Sequence, residues 1–406
     1  MADFARSAHS GVQAQLDRLP PISATGDTLG LERIAILLNR LGRPQDALPP
    51  VLHVAGTNGK GSTCAFLRAG LEAAGNSVHV FTSPHLVRFN ERIRIAGQLI
   101  GDDLLESLLG EVLDASSGIE PSFFEVATAA ALLAFAQTPA DACILEVGLG
   151  GRLDATNVVT APLVCGIAAI GMDHEQYLGH SLPEIAAEKA GIARRGVPLV
   201  ALAQPPEAEQ AIARVASEVG APLLLEGRDW RPDMRFKPVL PGAHQQRNAN
   251  LAWQMFLAQD CLPVPQAAFE EGLAGARWPA RFQRLANGPL AGEHATWIDG
   301  AHNPQAAEAL GALLGETEPM HLVLGILANK DAGAIVAALR PHALSLTFVP
   351  VPDHAHHDPA ALAERFGGRA AQSLEEALAD LPAQRLVAGS LYLAGLALEL
   401  NGELPD

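Results

Sequence analysis

The sequence predicts an α/β protein of two domains, a larger one on a mostly parallel sheet and a smaller α/β one after it. Three observations carry this. The 406 residues exceed what one hydrophobic core of ordinary size accommodates. Short apolar, β-prone runs alternate with helical patterns, and they do so twice along the chain. A stretch with Gly288, Pro289 and Gly292 separates the two alternations.

In the first alternation, strands are expected at 51–55, 78–82, 143–147, 163–170 and 198–202. Apolar runs of this kind suit parallel strands covered by helices on both faces. Residues 228–241, rich in Arg, Pro and Asp around Trp230, read as an irregular or antiparallel excursion. Helical patterns follow at 248–258 and 265–274. Residues 281–295 are expected to form the interdomain linker, dividing the chain into 1–287 and 288–406. Beyond it, strands are expected at 295–298, 321–326, 345–351 and 385–389, with helices such as 305–314 and 332–339 between them.

Composition excludes several function classes. Hydrophobic residues make up 49% and charged residues 18%, an ordinary globular balance. A formal net charge of −17 argues against nucleic acid held on a broad basic surface. Cys64, Cys143, Cys165 and Cys261 lie far apart without metal-ligand spacing, and read as free thiols of a reducing compartment. Residues 1–21 lack a basic-then-apolar signal, and the apolar runs 126–136 and 162–170 are too short to span a bilayer. A cytoplasmic monomer without a membrane partner is expected.

The first motif with chemistry is Gly56-Thr57-Asn58-Gly59-Lys60-Gly61-Ser62-Thr63, directly after strand 51–55 and before a helical pattern. Small residues let backbone amides approach phosphate oxygens, the helix N-terminus adds positive potential, and Lys60 reaches the outer phosphates. A hydroxyl of Ser62 or Thr63 can face a metal. The spacing departs from the usual phosphate loop, since Gly56 is too close to Gly59-Lys60 and Gly61 separates lysine from hydroxyl. A Gly-rich turn with an incidental lysine is the bland alternative; the strand–loop–helix context argues against it. Further along, Ser83, Glu146 and His174 each follow or end an expected strand, where ligands of parallel sheets gather. Oxygen donors with one imidazole suit Mg2+ or Mn2+ beside phosphate. Ser83 reads equally as a loop cap and His174 as a helix-entry histidine. Glu146 is costly within an apolar strand unless paired or metal-bound.

Gly-Thr-Asn-Gly-Lys is similar to the phosphate loop of the Mur ligase superfamily, and the following Gly-Ser to its folate branch. The resemblance continues in order through Gly30-Leu31-Glu32-Arg33, Ser83-Pro84-His85-Leu86, Glu146 to Asn157, Asp173-His174, Glu188-Lys189-Ala190-Gly191, Arg281-Phe282-Gln283 and Asp299-Gly300-Ala301-His302-Asn303-Pro304. On these motifs the chain is identified as a member of the dihydrofolate synthase/folylpolyglutamate synthase family. The resemblance implies a P-loop-type first domain, a Rossmann-like second, and ATP-dependent joining of L-glutamate to dihydropteroate and to reduced folates. It implies ATP and Mg2+, two ions, with K+ or Mn2+ as open alternatives. It assigns Gly56 to Ser62 with Asn248, Arg281 and Asp299 to ATP, held across a cleft between the domains, and Ser83, Glu146 and His174 to metal. Thr28, Leu29, Gly30, Leu31, Ser122, Phe123, Phe124, Glu125, Leu153, Asp154 and Ala155 match segments that bind dihydropteroate. Paired aromatics offer a pterin a stacking face and Asp154 offers acceptors, although adjacent helical residues cannot both point the same way.

By the same resemblance Lys189 is carbamylated and helps hold a second metal, and His302 works near the γ-phosphate or the incoming amine. Carbamylation needs a neutral amine, which burial near cations provides. Ser181 and Glu184 read as a capping box on the Lys189 helix. Lys330-Asp331 reads as either a site contact or a helix cap. The loop with His354, His356 and His357 reads as solvated or interface polarity more than as a metal box. The alternatives to a folate ligase are another Mur-type amide ligase, a P-loop kinase or NTPase, and a non-enzymatic nucleotide-binding module.

Overall fold

The computed structural model describes residues 7–19, 29–382 and 384–406. Residues up to 239 together with 245–276 form one compact unit, and 240–244 with 277–406 form a second.

The first unit is built on eight strands: β1 Val51–Ala55, β2 Val78–Phe81, β3 Ile93–Ile95, β4 Gln98–Leu99, β5 Ala142–Glu146, β6 Val164–Ile167, β7 Leu199–Ala201 and β8 Leu223–Leu225. Their order is β4-β3-β2-β5-β1-β6-β7-β8. Pairing is parallel from β2 to β8 and antiparallel in the β2-β3-β4 edge ribbon. Every residue of β1 and β5 is buried, as a central parallel sheet requires. Strand order reverses around β1: the chain goes to β2 on one side, fills in β5, then crosses to β6 on the other. Ligands of such sheets bind beside that reversal, at the carboxyl ends.

One core forms where helices Glu32–Arg40, Asp102–Ala115 and Phe123–Gln137 meet β2 and β5. Helix Phe123–Gln137 has most of its residues buried, which explains why its sequence shows an unbroken apolar run in place of a stripe. A second core packs helices Leu182–Ala190 and Pro206–Val219 on β6 and β7. Helix Lys60–Ala73 meets helix Gln266–Gly275 at two glycines: a Cβ on Gly272 would stand 2.5 Å from Ala69 O, and one on Gly70 2.8 Å from the Phe269 ring.

The second unit holds β9 Gln283–Arg284, β10 Thr296–Ile298, β11 Met320–Leu324, β12 Ala343–Phe348, β13 Arg369–Ala370 and β14 Arg385–Ala388, in the order β13-β12-β11-β14-β10-β9. Only β9 runs antiparallel to its neighbour among these strands. This corrects the expected linker. Residues 281–295 pair through β9 with β10 and are held by Asn401, whose Oδ1 accepts from Leu290 N and Ala291 N while its Nδ2 donates to Ala286 O. The buried Arg385 also donates to Ala291 O at 2.6 Å. The boundary therefore falls at 276/277, ahead of the expected 287/288. Gly and Pro mark turns, and a turn inside a domain looks the same in sequence as one between domains.

Candidate active site

The phosphate loop begins where β1 ends. Gly59, at φ 90°, caps helix Lys60–Ala73, and a Cβ there would stand 2.4 Å from Asn248 Oδ1. Thr57 N and Asn58 N donate to Ala169 O at 2.8 and 3.1 Å, and the Thr57 hydroxyl donates to Gly171 O at 3.0 Å. The first half of the loop is thus fastened to the segment after β6. The amides of Lys60, Gly61 and Ser62, in the first helical turn, have no intrahelical acceptor and suit an anion. Ser62 Oγ is buried without a hydrogen-bond partner among the described residues. Two glutamines that the sequence did not single out support this frame. Gln204 Nε2 donates to Ala168 O and its Oε1 accepts from Ile170 N, while Gln245 Oε1 accepts from Asn248 Nδ2. A glutamine in a loop or helix gives no warning of such a role.

Glu146 closes β5, opposite Val54 of β1, and is buried. Its Oε2 accepts from Ser83 N at 3.1 Å, so the structure joins these two expected ligands. His174 lies at the start of helix Glu175–Leu178 in a left-handed conformation, φ 53°, its amide donating to Asp173 Oδ1 at 2.9 Å. Among the described residues no three His, Cys, Asp or Glu side chains gather as a metal cage. The Glu146 carboxylate with the Ser83 hydroxyl, and the orphaned Ser62 hydroxyl in the phosphate loop, fit Mg2+ nonetheless, because that cation keeps water and phosphate oxygens and takes only one or two carboxylates from protein.

Lys189 lies in the last turn of helix Leu182–Ala190 and is 5% exposed. Its Nζ donates to Gly56 O at 3.0 Å, the first carbonyl of the phosphate loop. Burial, and then the positive charge of Lys60, push the amine down to about 7, against the pull of Asp173 and Asp154. The expected capping box at the other end is absent. Glu184 accepts from the Ser181 hydroxyl at 3.0 Å and from His180 N at 2.8 Å, so that hydroxyl donates to a carboxylate and does not cap the helix.

Of the expected pterin segments, Thr28 lies outside the described residues; Leu29, Gly30 and Leu31 lead into helix Glu32–Arg40. Ser122 and Glu125 form a capping box, and Glu125 Oε2 also accepts from Arg33 Nε at 3.0 Å. Glu125 Oε1 is buried without a partner among the described residues. Phe123 turns into the core, edge-on to Phe89, whereas Phe124 covers Gly148, where a Cβ would stand 2.4 Å from its ring. Asp154 takes four donors: Gly148 N and Leu149 N on Oδ2, Thr156 N and the Thr156 hydroxyl on Oδ1. Its acceptors are engaged in folding the loop after Glu146 back on itself. Beneath it, buried His53 meets Thr156 Oγ1 at 2.8 Å through Nε2, and burial lowers its pKa to about 3, keeping it neutral.

In the second unit, Asp299 follows β10. Its carboxylate accepts from Phe282 N and Ala301 N, both at 2.8 Å. Burial raises its pKa and Arg281 opposes the rise. Arg281 donates to Ala280 O, and His302 Nδ1 meets Gly300 O at 2.8 Å, which assigns a ring proton to Nδ1. Asp331 caps helix Ala332–Leu339 through Ala334 N, realising the cap reading, while Lys330 is buried. The His354 ring stacks on Tyr392 at 3.7 Å, His356 Nδ1 meets His354 O and His357 Nε2 meets Lys330 O. These histidines fasten their own loop.

Residues 280–393 match the Mur ligase, glutamate ligase domain. The chain is 35% identical to the folylpolyglutamate synthase of Lacticaseibacillus casei, over 94% of this chain and 96% of that protein. It is 36% identical to the dihydrofolate synthase/folylpolyglutamate synthase of Escherichia coli K12, over 97% and 96%. Among solved structures, E. coli FolC in complex with DHPP and ADP aligns with a TM-score of 0.87 at 33% identity, covering 98% of this chain and 99% of that one. A bifunctional folylpolyglutamate synthase/dihydrofolate synthase with Mn, AMPPNP and L-glutamate bound aligns with a TM-score of 0.86 at 32% identity, over 97% and 99%.

Proposed function

The chain belongs to the dihydrofolate synthase/folylpolyglutamate synthase family and is an ATP-dependent, ADP-forming ligase of glutamate to folates, and we propose how its own residues divide that work. The observation that carries the reading is one meeting point at the carboxyl ends of β1, β2 and β5. There the phosphate loop, the Ser83–Glu146 pair and a buried lysine amine stand together.

A carboxylate oxygen of dihydropteroate, or of a folate's terminal glutamate, attacks the γ-phosphorus of ATP. The bond to ADP breaks and an acyl phosphate forms. The amine of L-glutamate then attacks the acyl carbon, phosphate leaves, and the nitrogen loses a proton as the amide forms. Lys60 and the first-turn amides after Gly59 hold the phosphates and offset their charge, the main need of phosphoryl transfer. Ser83, Glu146 and His174 would hold the divalent cation, joined by Lys189 as its carbamate; the cation supplies further charge neutralisation on the phosphates. Asn248, Arg281 and Asp299 take the nucleoside. His302, with its proton held on Nδ1 by Gly300 O, attends the γ-phosphate or the incoming amine. The segments 29–31, 122–125 and 153–155 take the pterin, with Phe124, half-buried where it packs against the core, the more accessible ring of the pair.

Folate and L-glutamate as substrates fit the relatives, whose structures carry DHPP and ADP in one case and AMPPNP, Mn and L-glutamate in another. We place the enzyme in the cytoplasm as a monomer; no helix among the described residues is long and apolar enough to cross a membrane. The test is coupled ADP release with dihydropteroate, tetrahydrofolate and a muramyl precursor compared side by side. Turnover should require a pteroate or folate together with L-glutamate. Turnover on the muramyl precursor, or ADP release without glutamate, would overturn the reading.

A further inference from the structure

Lys189 is held on the phosphate loop by one hydrogen bond, but the end of its helix is held by many. Gly151 and Gly191 let two backbones touch: a Cβ on Gly151 would stand 2.8 Å from Glu188 O and Lys189 O, and one on Gly191 2.4 Å from Arg152 Cβ. Arg152 N donates to Glu188 O at 2.8 Å, and the Arg152 guanidinium grips Glu188 Oε1. Asn157 Nδ2 donates to Arg152 O at 2.9 Å and to Gly191 O at 3.2 Å. Arg194 completes the arrangement. One of its terminal nitrogens donates to Gly191 O, Ile192 O and Ala193 O, the carbonyls that follow the helix. The other donates to Asn157 O at 2.8 Å, Asn157 Oδ1 at 2.7 Å and Val159 O at 3.4 Å.

We propose that Arg194, acting through Asn157, is a positioning residue of the ligation reaction. It locks the C-terminal turn of the Lys189 helix to the loop that starts at Glu146 and folds around Asp154, and so sets where the Lys189 amine stands against Gly56. Three features separate this from ordinary loop packing. Arg194 spends its donors on carbonyls, which a guanidinium fork spans and a single ammonium covers only in part. Asn157 has both ends of its amide engaged, so it cannot shift toward one neighbour without releasing another. The two segments it joins carry a proposed metal ligand and the proposed carbamate, so a small displacement changes the geometry of both. The inference rests on the proposed role of Lys189.

The experiment compares Arg194→Ala, Arg194→Lys, Asn157→Ala, the Arg194→Ala/Asn157→Ala double variant and Lys189→Ala. Each is assayed for ADP release well below its own melting temperature. We expect Arg194→Ala and Asn157→Ala to lower kcat about tenfold or more with KM for dihydropteroate nearly unchanged, a split that a general loss of fold does not produce. Arg194→Lys should recover part of kcat. The double variant should lose no more than the worse single one, because both act through one unit. If Arg194→Ala proves insoluble, Arg194→Lys and Asn157→Ala carry the comparison. A variant series with lower melting temperatures but wild-type kcat would overturn the positioning role. A fully active Lys189→Ala would instead sink the reading on which it rests.

Discussion

Two lysines reach consecutive carbonyls of the phosphate loop: Lys189 Nζ donates to Gly56 O at 3.0 Å, and Lys60 Nζ to Thr57 O at 3.4 Å. Lys189 is the more deeply buried, and burial, together with the charge of Lys60, lowers its pKa. Lys60→Ala should lower kcat on the order of a hundredfold while leaving the melting temperature close to wild type, since the side chain meets phosphate and not the core. Near-normal kcat and KM for ATP would remove Lys60 from the chemistry. For Lys189 the pH dependence has a definite sign. Its folded pKa, about 7, lies below the ordinary 10.5, so between these values the unfolded chain binds the proton more tightly and stability rises with pH. Below about 7 the cost of burying the ammonium is fully present. In CO2-depleted buffer Lys189→Met should therefore be more stable than wild type under mildly acid conditions, and the gap should close as pH rises towards 10.5. Urea unfolding across that range checks it; a pH-independent gap would contradict the buried neutral amine. At this scale the sequence exposed Lys60 by its place in the Gly-rich loop and Glu146 by its charge within an apolar strand, whereas Lys189 was reached only through the family resemblance. It did not expose Gln204, Gln245 or Arg194, whose partners are main-chain carbonyls and amides that any residue supplies.

Elements are held here by glycines as much as by side chains. The Lys189 helix lies against residues 151–157 at backbone distance, and this contact leaves no room for a methyl group. Gly151→Ala should destabilise the protein by about 1–3 kcal/mol, the usual cost of forcing extra volume into a packed contact. Gly110, inside helix Asp102–Ala115, gives the opposite sign: its Cβ would meet only Gln15 at 3.7 Å, so Gly110→Ala should stabilise by about 0.4–1 kcal/mol. Urea midpoints for the pair test both signs together, and equal shifts would refute the backbone-contact argument. The sequence located the longer strands to within three residues at either end, because they are mostly apolar on both faces. The outer elements β3, β4, β8, β9 and β13 escaped, being only two or three residues long, and all but the all-leucine β8 carry a polar position. The capping box expected at Ser181 failed for a related reason: Ser and Glu at that spacing can bond to each other as readily as to the helix amides.

For the whole molecule, the division into units decides what a truncation removes. A fragment of residues 1–276 retains the phosphate loop, Ser83, Glu146, His174 and Lys189, and loses Arg281, Asp299 and His302. It should fold cooperatively, followed by circular dichroism in urea, yet show no ADP release with dihydropteroate and glutamate. Full turnover by the fragment would show that the second unit has no part in the reaction. What the sequence by itself determined was the α/β class, the alternation of strand and helix in both units, and the order of motifs that identifies a folate ligase. These are encoded locally, in hydrophobic period, turn residues and loop composition. Tertiary structure alone decided the boundary at 276/277, the engagement of all four Asp154 acceptors within its own loop, and the meeting of Lys189 with Gly56. Each depends on contacts between residues distant in the chain, 133 positions apart for Lys189 and Gly56, and no local pattern records which carbonyl a buried amine will reach.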